Sequence, residues 1–261
     1  MTKLPIYQVD AFTRSRFRGN PAGVCPLESW LPDAVLQDIA AENNLPMTAY
    51  FVRQGDDFAL RWFLPKGEEN LCGHATLAAA HVLVNHLGYT EPVVRFESKA
   101  GPISVHHAAG RFDLDFPVLP ATTVLTPPPA LIAGLGATPR EVGRALDWLA
   151  VFDDEESVRA LAPDFRTLAQ LDGRGVIVTA PGRDVDFVSR FFAPRDGLDE
   201  DHVTGSAHCT LIPYWARRLG RSTLRARQIS ARGGELWCEL AGDRVKIGGH
   251  AVTYLVGEIF V

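Results

Sequence analysis

The chain has 261 residues, of which 46% are hydrophobic and 22% charged, a balance typical of globular proteins. This length allows one large domain or two small ones. The formal net charge of -5 argues against nucleic acid or an anionic membrane as a partner. No apolar run is long enough to span a bilayer, and the first residues lack an apolar signal region, so we expect a cytoplasmic protein.

The cysteines and histidines show no pattern typical of a metal site. Cys25, Cys72, Cys209 and Cys238 form no CxxC pair and no zinc-binding spacing. In a cytoplasmic protein we expect these thiols to be reduced. None of the eight histidines pairs with a cysteine or another histidine at a recognisable ligand spacing. The sequence therefore predicts that no metal is bound.

The predicted elements of the first half run helix, strand, strand, helix. Residues 33–44 are helix-like, and residues 49–52 and 59–63 favour strands. Residues 75–87 then place apolar side chains at helical spacing and end at Gly88, a residue typical of helix C-termini.

A proline-rich segment follows near the middle of the chain. Residues 117–129 read PVLPATTVLTPPP and carry no charge. Three successive prolines favour a stiff, extended connector. We therefore predict an N-terminal lobe at residues 1–116, a connector at 117–129 and a C-terminal lobe at 130–261.

The second half repeats the order of the first. A helix-like segment at 164–171 and a strand-like segment at 175–180 precede a helix-like segment at 207–219. Pro213 lies inside this last segment and predicts a kink or a late start of the helix.

Matched segments strengthen this repeat. RWFLP at 61–65 corresponds to RFFAP at 190–194, and glycines 15 residues apart bracket both helices, at Gly73 and Gly88 and at Gly205 and Gly220. Such self-similarity favours two duplicated lobes, with chance similarity of two αβ units as the alternative.

Both of these helices begin with a Gly-x-Ala segment. Glycine lets the backbone approach a ligand closely, and the unbonded N–H groups at a helix start favour an anion. Gly73-His74 and Gly205-Ser206 would clamp a carboxylate if the two helix starts faced each other. A glycine before a helix is also ordinary turn chemistry.

Five motifs together suggest a family. The chain reads DAF with GNPAGV within 10–24, ENNL with TAYF within 42–51, RWF at 61–63, LCGHAT at 71–76 and EDHVTGSAH at 200–208. In order and spacing they resemble the motifs of the phenazine-biosynthesis isomerases, the PhzF-like family.

The resemblance implies an α+β fold like that of diaminopimelate epimerase. Two pseudo-symmetric lobes would each form a curved, mostly antiparallel sheet around a central helix, with the site in the cleft between them. It implies no metal or organic cofactor, a homodimer, and a small carboxylic acid as substrate. The type member isomerises a dihydro-hydroxyanthranilate by moving a proton.

The resemblance also assigns site residues. Its catalytic candidates are Asp201, His74 and Cys72, and its substrate-binding candidates are Asn20, Met47, Gly73, His74, Thr204, Gly205 and Ser206. Cys72 matches one of the two catalytic cysteines of the related diaminopimelate epimerases, whereas Thr204 stands in place of the second. The resemblance therefore excludes a two-thiol racemase.

These residues also have ordinary structural interpretations. His74 at a helix start can bond to the backbone, and Asp201 can act as a loop carboxylate or a helix cap. Ser206 is the best N-cap candidate of the second half. Cys72 is more typical of a small buried residue than of a nucleophile, although its place at a helix start can lower a thiol pKa.

One departure from the family bears on activity. The family usually reads NLSET where this chain reads NLPMT at 44–48, so Met47 replaces the glutamate that shuttles the proton. A thioether neither accepts nor delivers a proton. The chain is then either an isomerase or epimerase that moves a proton through another group, with Asp201 the expected replacement, or a binding protein that has lost its base. Covalent chemistry at Cys72 is a third hypothesis.

Overall fold

The computed structural model describes residues 2–261 and confirms the α+β class, with strands and helices mixed along the chain. The chain divides into two compact units. The N-terminal unit runs to Asp115 and also takes in Gly248–Val261, and the C-terminal unit is Phe116–Ile247. This division differs from the predicted lobe boundaries at the end of the chain. The final strand pairs antiparallel with the first one, so residues 248–261 join the N-terminal unit.

The N-terminal unit is built on strands from both ends of the chain. Its strands are β1 (Lys3–Ala11), β2 (Asn20–Leu27), β3 (Thr48–Gln54), β4 (Asp57–Leu64), β5 (Gly67–Glu69), β6 (Val93–Ser98), β7 (Gly101–Ala108), most of β8 (Arg111–Pro117) and the last part of β17 (Arg244–Phe260). Strand β6 alternates buried and exposed residues, the period-two pattern of a sheet with one covered face.

Two helices complete this unit, at the positions that the sequence predicts. Helix α1 (Asp33–Asn43) has an acidic residue in its first turn and ends at Asn44, which adopts a left-handed conformation. Helix α2 (Gly73–His86) has a run of buried residues from His74 to Leu83. Because its sequence is apolar on all sides and rich in alanine, it suits a central position, where it packs against β1, β2 and β3.

The C-terminal unit contains shorter elements. Its strands are β9 (Thr122–Thr123), β10 (Glu141–Arg144), β11 (Trp148–Val151), β12 (Val176–Pro181), β13 (Phe187–Ala193), β14 (Leu198–Asp201), β15 (Thr223–Gln228) and β16 (Gly234–Ala241). Its helices are α3 (Pro129–Leu135), α4 (Glu155–Arg159), α5 (Phe165–Leu168) and α6 (Gly205–Leu219), with a 3₁₀ turn at Pro194–Asp196. The predicted connector is thus structured in part, since it holds β9 and leads into α3.

The two units share one order of strand pairing. In the N-terminal unit, β2 is parallel to β3, β3 antiparallel to β4, β4 antiparallel to β5 and parallel to β6, and β6 antiparallel to β7. In the C-terminal unit, β11 to β16 repeat each of these relations in sequence. This pseudo-symmetry is what the duplication hypothesis requires.

Helix α6 is the buried helix of the C-terminal unit, and it continues through Pro213. A proline has no N–H group, so the carbonyl of Cys209 loses its partner within the helix. The backbone N–H of Leu119, from the proline-rich segment, donates to that carbonyl at 2.9 Å. Because the helix begins at Gly205, the alternative of a late helix start is wrong. The helix continues through Pro213 because a distant segment satisfies the carbonyl that the proline leaves without a helical partner.

Trp215 anchors α6 to its sheet. Its ring stacks on Phe187 at 5.8 Å with an interplanar angle of 6°. Its indole N–H donates to the Thr179 hydroxyl at 3.0 Å, and that hydroxyl donates to the Val188 carbonyl at 2.6 Å. The polar end of a buried aromatic is thereby satisfied, and these contacts hold the helix against β12 and β13. Within residues 2–261, no helix combines the length and apolar character that crossing a bilayer requires.

Candidate active site

The start of α2 brings two of the predicted catalytic residues together. Cys72 is the N-cap, Gly73 is the first helical residue, and His74 is the second, with only 7% of its surface exposed. The Cys72 Sγ lies 3.3 Å from Nδ1 of His74. A thiol and an imidazole at this distance form a hydrogen bond, and each of the two groups is chemically able to give or to take a proton.

The start of α6 holds the other predicted catalytic residue. Asp201 is the last residue of β14, Thr204 is the N-cap, and Gly205 and Ser206 open the helix. The Thr204 hydroxyl donates to Oδ2 of Asp201 at 2.6 Å. Because Ser206 lies inside the helix, the expectation that it is the N-cap is wrong. The Thr204 side chain also turns to Asp201 and leaves its own helix start uncapped.

The carbonyl of each N-cap residue is bound by a side chain four residues further on. In α2 the hydroxyl of Thr76 donates to the Cys72 carbonyl at 2.5 Å. In α6 the Nδ1 of His208 lies 2.8 Å from the Thr204 carbonyl. Since a carbonyl only accepts, Nδ1 of His208 carries the proton. Both helix starts are thus held in the same way, by Thr76 and His208, two residues with no predicted site role.

Burial controls the charge of His208. The ring is completely buried, and this burial lowers its pKa to about 4. His208 is therefore neutral at pH 7 and serves to position the backbone of Thr204. Its place at the fourth position of the helix is visible in the sequence only as the last residue of the EDHVTGSAH motif.

Two arginines form ion pairs between neighbouring strands just before the helix starts. Arg61 on β4 binds both carboxylate oxygens of Glu68 on β5, at 2.7 and 3.0 Å. Arg190 on β13 binds both oxygens of Glu200 on β14, at 2.8 and 2.9 Å. The hydrogen bond from Arg61 is the main cause that lowers the pKa of Glu68 to about 2. The sequence repeat points to both arginines, but it does not identify their partners.

Arg190 does more than bind Glu200. It also donates to the backbone carbonyls of Val158 and Leu161, at 3.2 and 2.8 Å. The residue after Glu200 is Asp201, so this cluster of hydrogen bonds fixes the strand that carries the candidate base.

Asn20 and Met47, predicted substrate contacts, lie in the N-terminal unit. Asn20 is fully buried at the start of β2. Met47 precedes β3, is 5% exposed, and its carbonyl accepts a hydrogen bond from the N–H of Gly23 at 2.9 Å. Position 47 is therefore a buried apolar position in this chain.

Burial makes three of the thiols poor acids. It raises the pKa of Cys25 and of Cys209 to about 12, and it raises that of Cys238 as well. Across residues 2–261, the cysteines form no disulfide, and no group of three or more His, Cys, Asp or Glu side chains is arranged to hold a metal.

The sequence and the fold of this chain are both similar to those of known proteins. The model of the phenazine biosynthesis-like protein family matches residues 9–257. Two uncharacterized isomerases of Pseudomonas aeruginosa are 53% and 49% identical to this chain, each over 98% of it and over 98% and 99% of their own lengths. The crystal structure of a PhzF-family phenazine biosynthesis protein from Enterococcus faecalis is 48% identical, with a TM-score of 0.97 and full coverage of both chains. The similarity thus extends over both units.

Proposed function

Because this chain belongs to the phenazine biosynthesis-like protein family, we propose that it is an isomerase or epimerase that moves a proton on a small carboxylic acid without a metal or organic cofactor. Two of its bacterial relatives are named as isomerases, which supports the reaction class. The observation that carries the proposal is the carboxylate of Asp201, held by a hydroxyl at the glycine-led start of a buried helix.

The helix starts suit the carboxylate of the substrate. Helices α2 and α6 are 14 and 15 residues long, and each begins with a glycine. Because glycine has no side chain, it lets a ligand approach the backbone N–H closely. Backbone N–H groups and the helix dipole favour a negative charge at such a place. Each helix start is a candidate place for a substrate carboxylate: the N–H groups of Gly73-His74 in α2 and those of Gly205-Ser206 in α6.

Asp201 supplies the group that accepts a proton. In the proposed step its carboxylate takes a proton from a carbon of the substrate, and the electron pair of the broken C–H bond enters the conjugated system of the substrate. Asp201 then returns the proton to another carbon, which isomerises the substrate. Epimerisation requires instead that a second group delivers a proton to the opposite face of the same carbon. The Cys72–His74 pair is a second group able to deliver a proton.

Met47 favours a second function, binding without catalysis. A buried thioether at the position of the family's acid/base leaves the ligand site intact and removes one proton carrier. A protein of this second kind would bind small carboxylic acids and leave their C–H bonds untouched.

Proton exchange distinguishes the two functions. The protein is incubated in deuterated water with a panel of small carboxylic acids, including dihydro-hydroxyanthranilate, and proton NMR follows the loss of each C–H signal. We expect at least one acid to lose a C–H signal in the presence of the protein and not in its absence. Acids that raise the melting temperature while none exchanges would contradict the isomerase and favour the binding protein.

We also propose a homodimer, which the family resemblance implies. Size-exclusion chromatography with light scattering measures the molar mass in solution. A mass near twice that of the 28.5 kDa chain is the expected result, and a monomer would contradict it.

A further inference from the structure

Gln228 lies at the centre of the hydrogen bonds around Asp201. It is the last residue of β15, and none of its surface is exposed. Its Oε1 accepts from the backbone N–H of Thr204 at 2.8 Å. Its Nε2 donates to the backbone carbonyl of Asp201 at 2.8 Å and contacts the Thr204 hydroxyl oxygen at 3.1 Å.

Two backbone groups fix which way this amide points. The N–H of Thr204 only donates, so it requires the oxygen of the Gln228 amide. The carbonyl of Asp201 only accepts, so it requires the amide nitrogen. The two requirements agree, and the Nε2 of Gln228 is left facing the hydroxyl of Thr204.

The direction of the Thr204 hydroxyl follows from this orientation. The amide nitrogen brings a hydrogen to the hydroxyl oxygen, so the hydroxyl must direct its own hydrogen elsewhere. Oδ2 of Asp201 lies 2.6 Å away, within the range of a strong hydrogen bond from a hydroxyl to a carboxylate. The backbone therefore sets the amide, the amide sets the hydroxyl, and the hydroxyl donates to Asp201.

We propose that Gln228 is a positioning residue that, through the Thr204 hydroxyl, holds Asp201 as a carboxylate, so that Asp201 enters the reaction as a base. The catalytic part rests on the function proposed above, whereas the order of hydrogen bonds does not. A donor to one carboxylate oxygen stabilises the ionised form and fixes the plane of the group.

Other charged groups lie on the elements next to Asp201 along the chain or in the sheet. They lie on β13, on β14, on the 3₁₀ turn, on β15 and in the segments that follow Asp201 and β15: Arg190, Asp199, Glu200, Arg195, Asp196, Arg225, Arg227, His202 and Arg232. Substitutions at Thr204 and Gln228 leave all of these charges in place. A change in the titration of Asp201 in such variants therefore reports on the hydrogen bonds.

The test follows the titration of Asp201 without substrate. Protein labelled with ¹³C at the aspartate carboxyl carbons is titrated by NMR, and the signal is assigned with Asp201→Asn. Thr204→Val removes the hydroxyl at constant shape, Thr204→Ser retains it as the matched control, and Gln228→Met removes the amide. We expect the first and third changes to raise the midpoint by about one pH unit or more, and the serine variant to titrate as wild type.

Each half of the proposal has its own contrary result. An unchanged midpoint in Thr204→Val shows that the hydroxyl does not donate to Asp201. A shift in Thr204→Val without one in Gln228→Met shows that Gln228 does not direct the hydroxyl.

A neutron structure of the wild-type protein covers the case in which Gln228→Met fails to fold. A deuterium bonded to Thr204 Oγ1 and directed at Asp201 Oδ2 supports the proposal, whereas a deuterium bonded to Oδ2, or any other hydroxyl direction, overturns it. If the midpoints shift as expected but no carboxylic acid exchanges, the proposed function fails while the order of hydrogen bonds stands.

Discussion

Two buried histidines are expected to destabilise the protein in mild acid. Burial lowers the pKa of His208 to about 4, and burial together with the charge of His86 lowers that of His81 to about 4. In the unfolded chain a histidine titrates at about 6.5. Between these values the unfolded state binds more protons, so stability is complete above pH 6.5 and falls as the pH drops toward 4.

The size of the effect follows from the width of this window. Each pH unit inside it lowers the free energy of unfolding by about 1.4 kcal/mol per histidine. Moving from pH 7 to pH 5 therefore removes about 2 kcal/mol for His208 and a similar amount for His81. Most carboxylates titrate below this range, and the pKa of Glu68 is lowered to about 2, so the histidines dominate between pH 7 and pH 5.

Urea unfolding at the two pH values measures the effect. His208→Asn keeps a donor near the position of Nδ1 and does not titrate, whereas His106→Asn changes an exposed histidine as a control. We expect wild type and the His106 variant to lose about 2 kcal/mol more than the His208 variant between pH 7 and pH 5. An equal loss in wild type and His208→Asn would refute the argument.

Three further changes test the site. Met47→Glu introduces a carboxyl group at a buried position. We expect this change to increase deuterium uptake by dihydro-hydroxyanthranilate by about a hundredfold or more. No increase would mean that position 47 is not the missing base. Gly205→Val places a bulky side chain at the expected anion site, so small carboxylic acids should no longer raise the melting temperature of this variant. The control is Gly67→Ala, where an added Cβ has no neighbour within 4 Å, and its melting temperature should respond as that of wild type. Arg190→Lys loses the two-point contact with Glu200 and should lower the free energy of unfolding by about 2 kcal/mol in urea; an unchanged value would show that this contact adds no stability.

Local signals account for the elements that the sequence predicts. The helices α2 and α6 begin and end within two residues of the predicted bounds. Their two signals, apolar spacing and a glycine at the end of the helix, depend on residues that are near one another in the sequence. The exception is the effect of Pro213 on α6. The chain supplies Leu119 to the Cys209 carbonyl from outside the helix, and no local pattern contains that contact.

Long-range pairing explains what the sequence does not reveal. The last strand joins the N-terminal unit because it pairs with β1, almost the full length of the chain away. Gln228 looks like an ordinary polar residue at the end of a strand, since its partners Asp201 and Thr204 precede it by 27 and 24 residues. The family resemblance identifies Asp201 as a candidate catalytic residue, whereas the structure identifies Thr204 and Gln228 as the residues that bind it.

The rate of deuterium uptake in Asp201→Asn tests the account most directly. The asparagine keeps the shape of the side chain and removes its ability to take a proton. On an acid that the wild-type protein exchanges, we predict that the rate falls by about a hundredfold to ten-thousandfold while the acid still raises the melting temperature. Exchange that continues at the wild-type rate would show that Asp201 is not the base.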